Sequence, residues 1–169
     1  MEDTISIQQV LLQYGSLDER TEDRKGNSRF IKYLRAEGHT VYDCTDDIGK
    51  TENANLVNIV KNCNSHTVDL DVSIHLNSGR NDLSGDNSTG GVEVFIYDKS
   101  SNSPVEEAER VCAAISKKLG LHNRGVKVCG NNLYVVAKTK APAMLVSAVL
   151  LMIRTTQTDG MLRNVLKPL

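Results

Sequence analysis

The sequence lacks an excess of charge of either sign. Of its 169 residues, 20 are lysine or arginine and 21 are aspartate or glutamate, so the formal net charge is −1. A protein that binds nucleic acid usually carries a clear basic surface, and this composition argues against such a partner. With 40% hydrophobic residues, the chain is long enough to bury the core of one soluble domain.

The sequence also lacks a long apolar segment. Residues 1–20 show no basic start followed by an apolar run, and the longest apolar stretch, residues 141–153, is too short to span a bilayer. We therefore expect neither a secretory signal nor a membrane anchor, and we expect synthesis in the cytoplasm. The sequence shows no internal repeat and no linker.

The sequence also lacks closely spaced cysteines. The four cysteines lie far apart in the chain, form no C-x-x-C motif, and three of them fall within apolar periodic segments. We interpret them as reduced residues of the core, with no sign of a thiolate nucleophile. They are Cys44, Cys63, Cys112 and Cys129.

What the sequence does contain is an alternation of strand and helix patterns in the order βαβα, which is typical of a sheet covered by helices. We predict an α/β fold, a single domain with a mostly parallel twisted sheet flanked by helices. Thr51 is predicted to cap the second helix, and Gly38 and Gly120 to end the first and third. The predicted helices cover residues 19–37, 51–64 and 104–120, and the predicted strands cover residues 40–44, the segment leading to His75, and residues 92–97, 133–136 and 143–149.

One predicted strand ends at a histidine. Leu70, Val72 and Ile74 alternate with polar residues, and the alternation stops at His75. Reactive groups collect at the carboxyl ends of strands in open α/β sheets, so His75 is a candidate metal ligand or catalytic residue, with a structural histidine as the alternative. Residues 78–91, rich in Gly, Ser, Asn and Asp, follow as a predicted mobile surface loop of the kind that shapes substrate grooves.

Short motifs spread over residues 15–146 form an ordered set. They lie at residues 17–19, 36–41, 53–55, 73–77, 91–95, 123–127, 133–136 and 140–146. In order and spacing, this set resembles the zinc-dependent N-acetylmuramoyl-L-alanine amidases of phage endolysins and bacterial autolysins. The resemblance implies the phosphorylase/hydrolase-like fold of that family, which agrees with the predicted α/β architecture.

The resemblance also implies a hydrolytic zinc site. Such amidases hold one zinc ion with two histidines and a glutamate, and a second glutamate beside the metal acts as general base. Three protein ligands leave an open position where zinc lowers the pKa of water to roughly 7, and the metal polarises the amide carbonyl. The base takes the water proton and returns it to the departing amine, which cleaves the bond between the muramic acid lactyl group and L-alanine.

Residue by residue, the resemblance places two metal ligands. Glu19 matches the carboxylate ligand and His75 matches the second histidine. Without the resemblance, Glu19 would simply favour the positive end of the first helix. Asn77 is a candidate substrate-binding residue, and a bond to its own loop backbone is the alternative.

Two residues that the family leads us to expect are missing. The first histidine should precede the glutamate ligand, but all four histidines of this chain lie at or after position 39. The general base should directly follow the strand end at Leu145 and Val146, where this chain has Ser147. A serine hydroxyl cannot serve as that base, so the resemblance implies that the catalytic position at Ser147 has lost its function.

Residues 1–14 and 147–169 diverge from the family, and we hypothesise that both ends are read out of frame. With suitable synonymous codons, restoring one deleted base in the Val146 codon yields a family-like strand end with a glutamate at the position of Ser147. Reading residues 1–12 two bases over likewise yields a histidine at a spacing that fits the family. Residues 155–169 show little helical periodicity, so we predict that they pack loosely.

Two functions from different classes fit these observations. The first is a peptidoglycan amidase for cell-wall lysis or remodelling, impaired in the chain as written and released to the wall by a partner such as a phage holin. The second is a catalytically dead amidase-like module that binds peptidoglycan. We expect a monomer with no nucleic-acid or membrane partner, and zinc held weakly as the cofactor. The completeness of the metal site discriminates the two functions.

Overall fold

The computed structural model describes residues 4–8, 17–78 and 91–150, and within these segments the side chains of residues 5–8, 17–23, 25, 76–78 and 148–150 are outside the description. The predicted loop at residues 78–91 and the predicted loose tail at residues 155–169 therefore lie largely or wholly outside the described residues. The elements are β1 (Thr4–Gln8), α1 (Leu17–Ala36), β2 (Thr40–Asp43), α2 (Glu52–Cys63), β3 (Leu70–Ser78), β4 (Gly91–Ile96), α3 (Val105–Leu119), β5 (Asn123–Val128), a single 3-10 turn (Gly130–Asn132), α4 (Tyr134–Lys138) and β6 (Ala143–Leu150).

The six strands form one sheet in the order β2-β1-β3-β6-β4-β5. β2, β1, β3 and β6 run parallel to one another, β4 runs antiparallel to β6, and β5 runs parallel to β4. The carboxyl ends of the first four strands and the amino ends of β4 and β5 therefore meet at one edge, which we call the upper edge. This mostly parallel sheet confirms the predicted fold class.

Helices cover both faces of the sheet. One face carries the largest apolar cluster, which joins Ile31 of α1 and Ala108 of α3 to strand residues such as Val72 and Val94. The other face carries two smaller clusters, one built around Ile59 of α2 and one built from residues of α4, β6 and the segment before α4. Burial of apolar surface on both faces is what an α/β sheet needs for stability.

Helix ends follow the predicted signals. The Thr51 side chain accepts a hydrogen bond from the Ala54 backbone N–H at 3.2 Å, which caps the start of α2. Gly38 and Gly120 follow α1 and α3 with φ values of 96° and 66°. Both angles lie in the left-handed region that favours glycine after a helix, so the chain can turn there at little cost.

The prediction of a strand at residues 133–136 is wrong. Leu133 is extended, and the chain then forms the short helix α4. Val135 and Val136 are consecutive, yet both are buried in clusters on the same face of the sheet. A strand would point them to opposite faces, whereas a helix places both toward one layer, and a four-residue apolar run does not distinguish the two forms.

The sequence patterns predict neither β1 nor β5. β5 lies at an edge of the sheet, and four of its six residues are exposed, so its sequence lacks the apolar alternation of a buried strand. The interpretation of the cysteines as reduced core residues is confirmed, since all four are buried and none of the four forms a disulfide.

None of the helices in the described segments combines the length and the apolar character that crossing a bilayer requires.

Candidate functional site

The candidate site is built on the face of β3 that carries polar residues. Val72 and Ile74 point into the core under α1 and α3, so Asp71, Ser73 and His75 point to the opposite face. The Nε2 atom of His75 lies 3.1 Å from the Ser73 hydroxyl oxygen. Burial lowers the pKa of His75 to about 4. The imidazole ring is therefore neutral at pH 7, which is the form that can donate a lone pair to a metal.

Ser147 lies beside His75 on the neighbouring strand. The two residues are register partners in the parallel pair of β3 and β6, and partners of this kind share one face of the sheet. Ser147 is buried, and its hydroxyl has no hydrogen-bond partner among the described residues. Ser147, the position where the resemblance leads us to expect a general base, therefore lies next to the candidate histidine. Its side chain is a hydroxyl, without a hydrogen-bond partner among the described residues.

Glu93 lies on the other side of Ser147, and we call the three residues His75, Ser147 and Glu93 the polar row. Glu93 is the register partner of Ser147 in the antiparallel pair of β4 and β6, so the three side chains lie on one face in the order His75, Ser147, Glu93. The Glu93 carboxylate forms an ion pair with Arg124 of β5, with 3.2 Å between Nε and Oε2. Sequence reasoning did not single out Glu93 or Arg124 as site residues, although both fall within the motifs at residues 91–95 and 123–127.

The first half of α1 also lies at the upper edge. Arg24 of α1 forms an ion pair with Asp47, and the Asn27 side chain donates to the Thr45 hydroxyl at 3.2 Å. Both partners follow the carboxyl end of β2. Glu19 lies in the first turn of α1, so its backbone is on the same side of the molecule as the strand end that carries His75.

The remaining predicted site residue, Asn77, lies on β3 two residues beyond His75 and is in register with Val149 of β6. It therefore belongs to the same face of the sheet as His75. The side chains of Glu19 and Asn77 are outside the described part of the chain, so the structure places these residues by their backbone alone.

The loop between β2 and α2 borders the upper edge and is internally bonded. The buried Asp46 carboxylate accepts hydrogen bonds from the backbone N–H groups of Ile48 and Gly49, at 3.2 and 2.8 Å. It also accepts from the side-chain amides of Asn55 and Asn58, at 3.0 and 3.2 Å. These bonds outweigh the opposing effect of burial and lower the pKa of Asp46. The carboxylate therefore ties the loop to α2.

A metal-binding set is not complete in the described residues. Across residues 4–8, 17–78 and 91–150, no three side chains from histidine, cysteine, aspartate and glutamate come together in a way that could hold a metal ion. His75 is the one predicted ligand whose side chain is described. The donors that the structure describes therefore do not form a zinc site.

Comparison with known proteins relates this geometry to a family. A family model described as N-acetylmuramoyl-L-alanine amidase matches residues 7–160. An uncharacterized protein of Clostridium perfringens is 35% identical over 133 residues, which make up 78% of this chain and 37% of that protein. The chain thus spans less than half the length of this curated relative.

Two solved structures share the fold. The catalytic domain of the CD27L endolysin, which targets Clostridia difficile, has 24% identity and a TM-score of 0.66, with 86% of this chain and 80% of that chain covered. The CwlD amidase of Clostridioides difficile, solved in complex with the GerS lipoprotein, has 16% identity and a TM-score of 0.74, with 98% and 93% covered. At these identities, the likeness concerns the architecture of the sheet and its helices.

Proposed function

The chain belongs to the N-acetylmuramoyl-L-alanine amidase family, and from this premise we propose that it acts on peptidoglycan at the amide bond between N-acetylmuramic acid and L-alanine. The family match over residues 7–160 carries this proposal. The polar row at the upper edge supports it, because His75 lies where a parallel α/β sheet collects its reactive groups.

We further propose that hydrolysis is impaired in the chain as written. The supporting observation is the register of Ser147 with His75. Hydrolysis of an amide needs a group that takes a proton from water and returns it to the leaving amine. A neutral serine hydroxyl does not do this at pH 7, and the nearest described carboxylate in the row, Glu93, is engaged with Arg124.

Zinc is the cofactor that we propose for the site, with Glu19 and His75 as its ligands in this chain. When bound, zinc supplies a Lewis acid and lowers the pKa of water to roughly 7. A stable site of this class uses three protein ligands. Two ligands make the proposed affinity weak.

The alternative function is a peptidoglycan-binding module without catalysis. The observation that favours it is the buried Ser147 hydroxyl, which has no hydrogen-bond partner among the described residues and lies where the resemblance leads us to expect the base. The fold and the polar row would then serve recognition alone. The two functions differ in one measurable property, since an impaired amidase regains hydrolysis when the missing groups are restored and a binding module does not.

The test compares the chain as written with a repaired chain. The repaired chain carries Ser147→Glu together with the re-read N-terminal segment that contains a histidine, and the matched control carries the same N-terminal segment with Ser147→Ala. Turbidity of purified peptidoglycan and release of L-alanine amino termini are measured. We expect hydrolysis by the repaired chain, at a rate about 10²- to 10⁴-fold above the control, which is the typical contribution of a general base.

Any result other than the expected one contradicts one part of the proposal. Equal release by the chain as written and the repaired chain would show that catalysis is not impaired. No release by any of the three proteins would favour the binding module. Sequencing the encoding DNA at both ends tests the reading-frame hypothesis independently of activity.

A further inference from the structure

Ser73 and His75 are hydrogen-bonded to each other along one face of β3. The Ser73 residue is 0% exposed, and its hydroxyl oxygen lies 3.1 Å from Nε2 of His75. A hydroxyl in such a position is shielded from bulk water, so its bond to the ring does not compete with bonds to the solvent. The orientation of the His75 ring is therefore tied to a residue of its own strand.

The neighbours of this pair on β6 explain why the ring bonds along its own strand. The register partner of Ser73 is Leu145, which belongs to a buried apolar cluster and has no side-chain donor or acceptor to offer a hydroxyl. The register partner of His75 is Ser147, whose hydroxyl has no hydrogen-bond partner among the described residues. Of these two serine hydroxyls beside His75, the ring bonds the one of Ser73.

The bond to Ser73 decides which ring nitrogen can bind a metal ion. An uncharged imidazole carries a proton on one nitrogen and a lone pair on the other. Nε2 is directed at the Ser73 hydroxyl, so a metal ion bound to the ring in this orientation uses Nδ1. A lone pair on Nδ1 requires the proton on Nε2, and the hydrogen bond then runs from Nε2–H to the hydroxyl oxygen.

We propose that Ser73 is a positioning residue for His75, whose hydroxyl oxygen accepts the Nε2–H hydrogen bond and so presents the Nδ1 lone pair for zinc. This inference rests on the proposed function, which includes zinc as the cofactor and His75 as a ligand. Histidines that bind a metal usually donate their second ring N–H to an oxygen acceptor, and that bond fixes the tautomer and the ring orientation. Ser73 supplies this acceptor.

The first measurement assigns the tautomer of His75 in the full chain without metal. The chain is prepared with isotope-labelled histidine, and the signals of His75 are identified by their absence in His75→Ala. Long-range proton–nitrogen NMR spectra at pH 7 distinguish a nitrogen that bears a proton from one that bears a lone pair. We expect the proton at Nε2 and the lone pair at Nδ1, and we expect added zinc to shift the Nδ1 signal more than the Nε2 signal.

The second measurement compares variants that keep or remove the acceptor. Ser73→Ala removes the hydroxyl, so its spectra should show a mixture of both tautomers. Its affinity for zinc, measured by competition with a chromophoric chelator, should fall about 10- to 100-fold, as is typical when the partner of a ligating histidine is lost. Ser73→Thr keeps the hydroxyl and should retain one tautomer and most of the affinity. These changes in tautomer are not expected from a residue that only fills space.

The control removes a different buried hydroxyl. Ser116→Ala deletes the hydroxyl that donates to the Leu121 carbonyl oxygen at the end of α3. Its cost in stability should resemble that of losing any buried hydrogen bond. We expect this variant to change neither the tautomer of His75 nor the affinity for zinc.

Several results would overturn the role of Ser73. A lone pair on Nε2 of the unmodified chain would make Ser73 the donor, and a larger zinc-dependent shift at Nε2 would assign the metal to the other nitrogen. An unchanged tautomer or an unchanged affinity in Ser73→Ala would show that the hydroxyl does not position the ring. An equal loss of affinity in Ser73→Ala and Ser73→Thr would be an effect of packing.

The proposed function fails in a distinguishable way. Zinc that leaves every His75 signal unchanged would overturn His75 as a ligand, and the role of Ser73 with it. None of these measurements uses peptidoglycan, so hydrolysis of the amide bond is tested separately by the release of L-alanine amino termini. A chain without hydrolysis in which the tautomer and the zinc shifts are as expected would retain Ser73 as the positioning residue.

Discussion

Ser147 and His75 are register partners on the adjacent parallel strands β6 and β3, and the hydroxyl of Ser147 is buried without a hydrogen-bond partner among the described residues. An unpaired buried hydroxyl is unusual in a native core. Its place beside the candidate histidine makes this hydroxyl part of the candidate site.

The first prediction concerns stability at this position. Ser147→Ala removes a buried polar atom that lacks a partner among the described residues, so it should raise the free energy of unfolding by about 1 kcal/mol. The matched control is Ser116→Ala, because the buried Ser116 hydroxyl donates to the Leu121 carbonyl oxygen at 2.5 Å. That substitution should lower the free energy of unfolding by about 1 kcal/mol. Urea unfolding of both variants measures the two changes in free energy. A loss of stability in Ser147→Ala would show that the Ser147 hydroxyl makes a stabilising hydrogen bond.

The second prediction concerns zinc. With Glu19 and His75 as the proposed ligands, the chain as written should hold clearly less than one equivalent of zinc after dialysis, because a stable site needs a third protein ligand. His75→Ala should abolish the remainder, and His122→Ala, which alters an exposed histidine, should leave it unchanged. Elemental analysis measures the metal content. Tight binding of one zinc ion per chain would mean that another residue completes the site.

The third prediction concerns the buried carboxyl of Asp71. Burial raises the pKa of Asp71 to about 7, against a hydrogen bond from Cys63 that lowers it, and one carboxylate oxygen has no partner among the described residues. In the unfolded chain this group loses its proton near pH 4. The folded state therefore binds the proton more tightly, and its contribution to stability is fully present below pH 4 and is lost as the pH rises through about 7.

Asp71→Asn tests this dependence, because it keeps the shape of the side chain and removes the charge. At pH 8 the variant should be more stable than the unmodified chain by roughly 2 to 4 kcal/mol, since one pKa unit corresponds to about 1.4 kcal/mol. At pH 4 the difference should vanish. Urea unfolding across this pH range measures it, with Asp47→Asn, at an exposed ion pair, as the control. An unchanged pH profile in Asp71→Asn would show that another group is responsible.

The fourth prediction concerns the loop between β2 and α2. A Cβ atom at Gly49 would lie 2.6 Å from the Asn55 backbone nitrogen and 2.7 Å from the Asp46 carboxylate. Gly49→Ala should therefore lower the free energy of unfolding by about 1 to 3 kcal/mol, as overpacking usually does. Gly26→Ala in α1 is the control, since nothing lies within 4 Å of its added Cβ. Gly26→Ala should raise the free energy of unfolding by up to about 1 kcal/mol, because alanine has the higher helix propensity. A stabilising effect of Gly49→Ala would contradict the prediction and show that the loop can move to accommodate a Cβ atom.

Features that depend on neighbouring residues in the chain could be predicted from the sequence alone. The helix ends at Gly38 and Gly120 and the cap at Thr51 follow from local backbone geometry. The alternation of Leu70, Val72 and Ile74 likewise shows which face of β3 is apolar, and hence that His75 lies on the other face. The ordered motifs were enough to indicate the family.

Contacts between residues that are distant in the chain could not be predicted in this way. β6 inserts between β3 and β4, and this insertion aligns Ser147 with His75 on one side and with Glu93 on the other. Register between strands tens of residues apart is set by the packing of the whole sheet, so no local pattern contains it. For the same reason no local pattern singled out Arg124, because its ion pair with Glu93 depends on the pairing of β4 with β5.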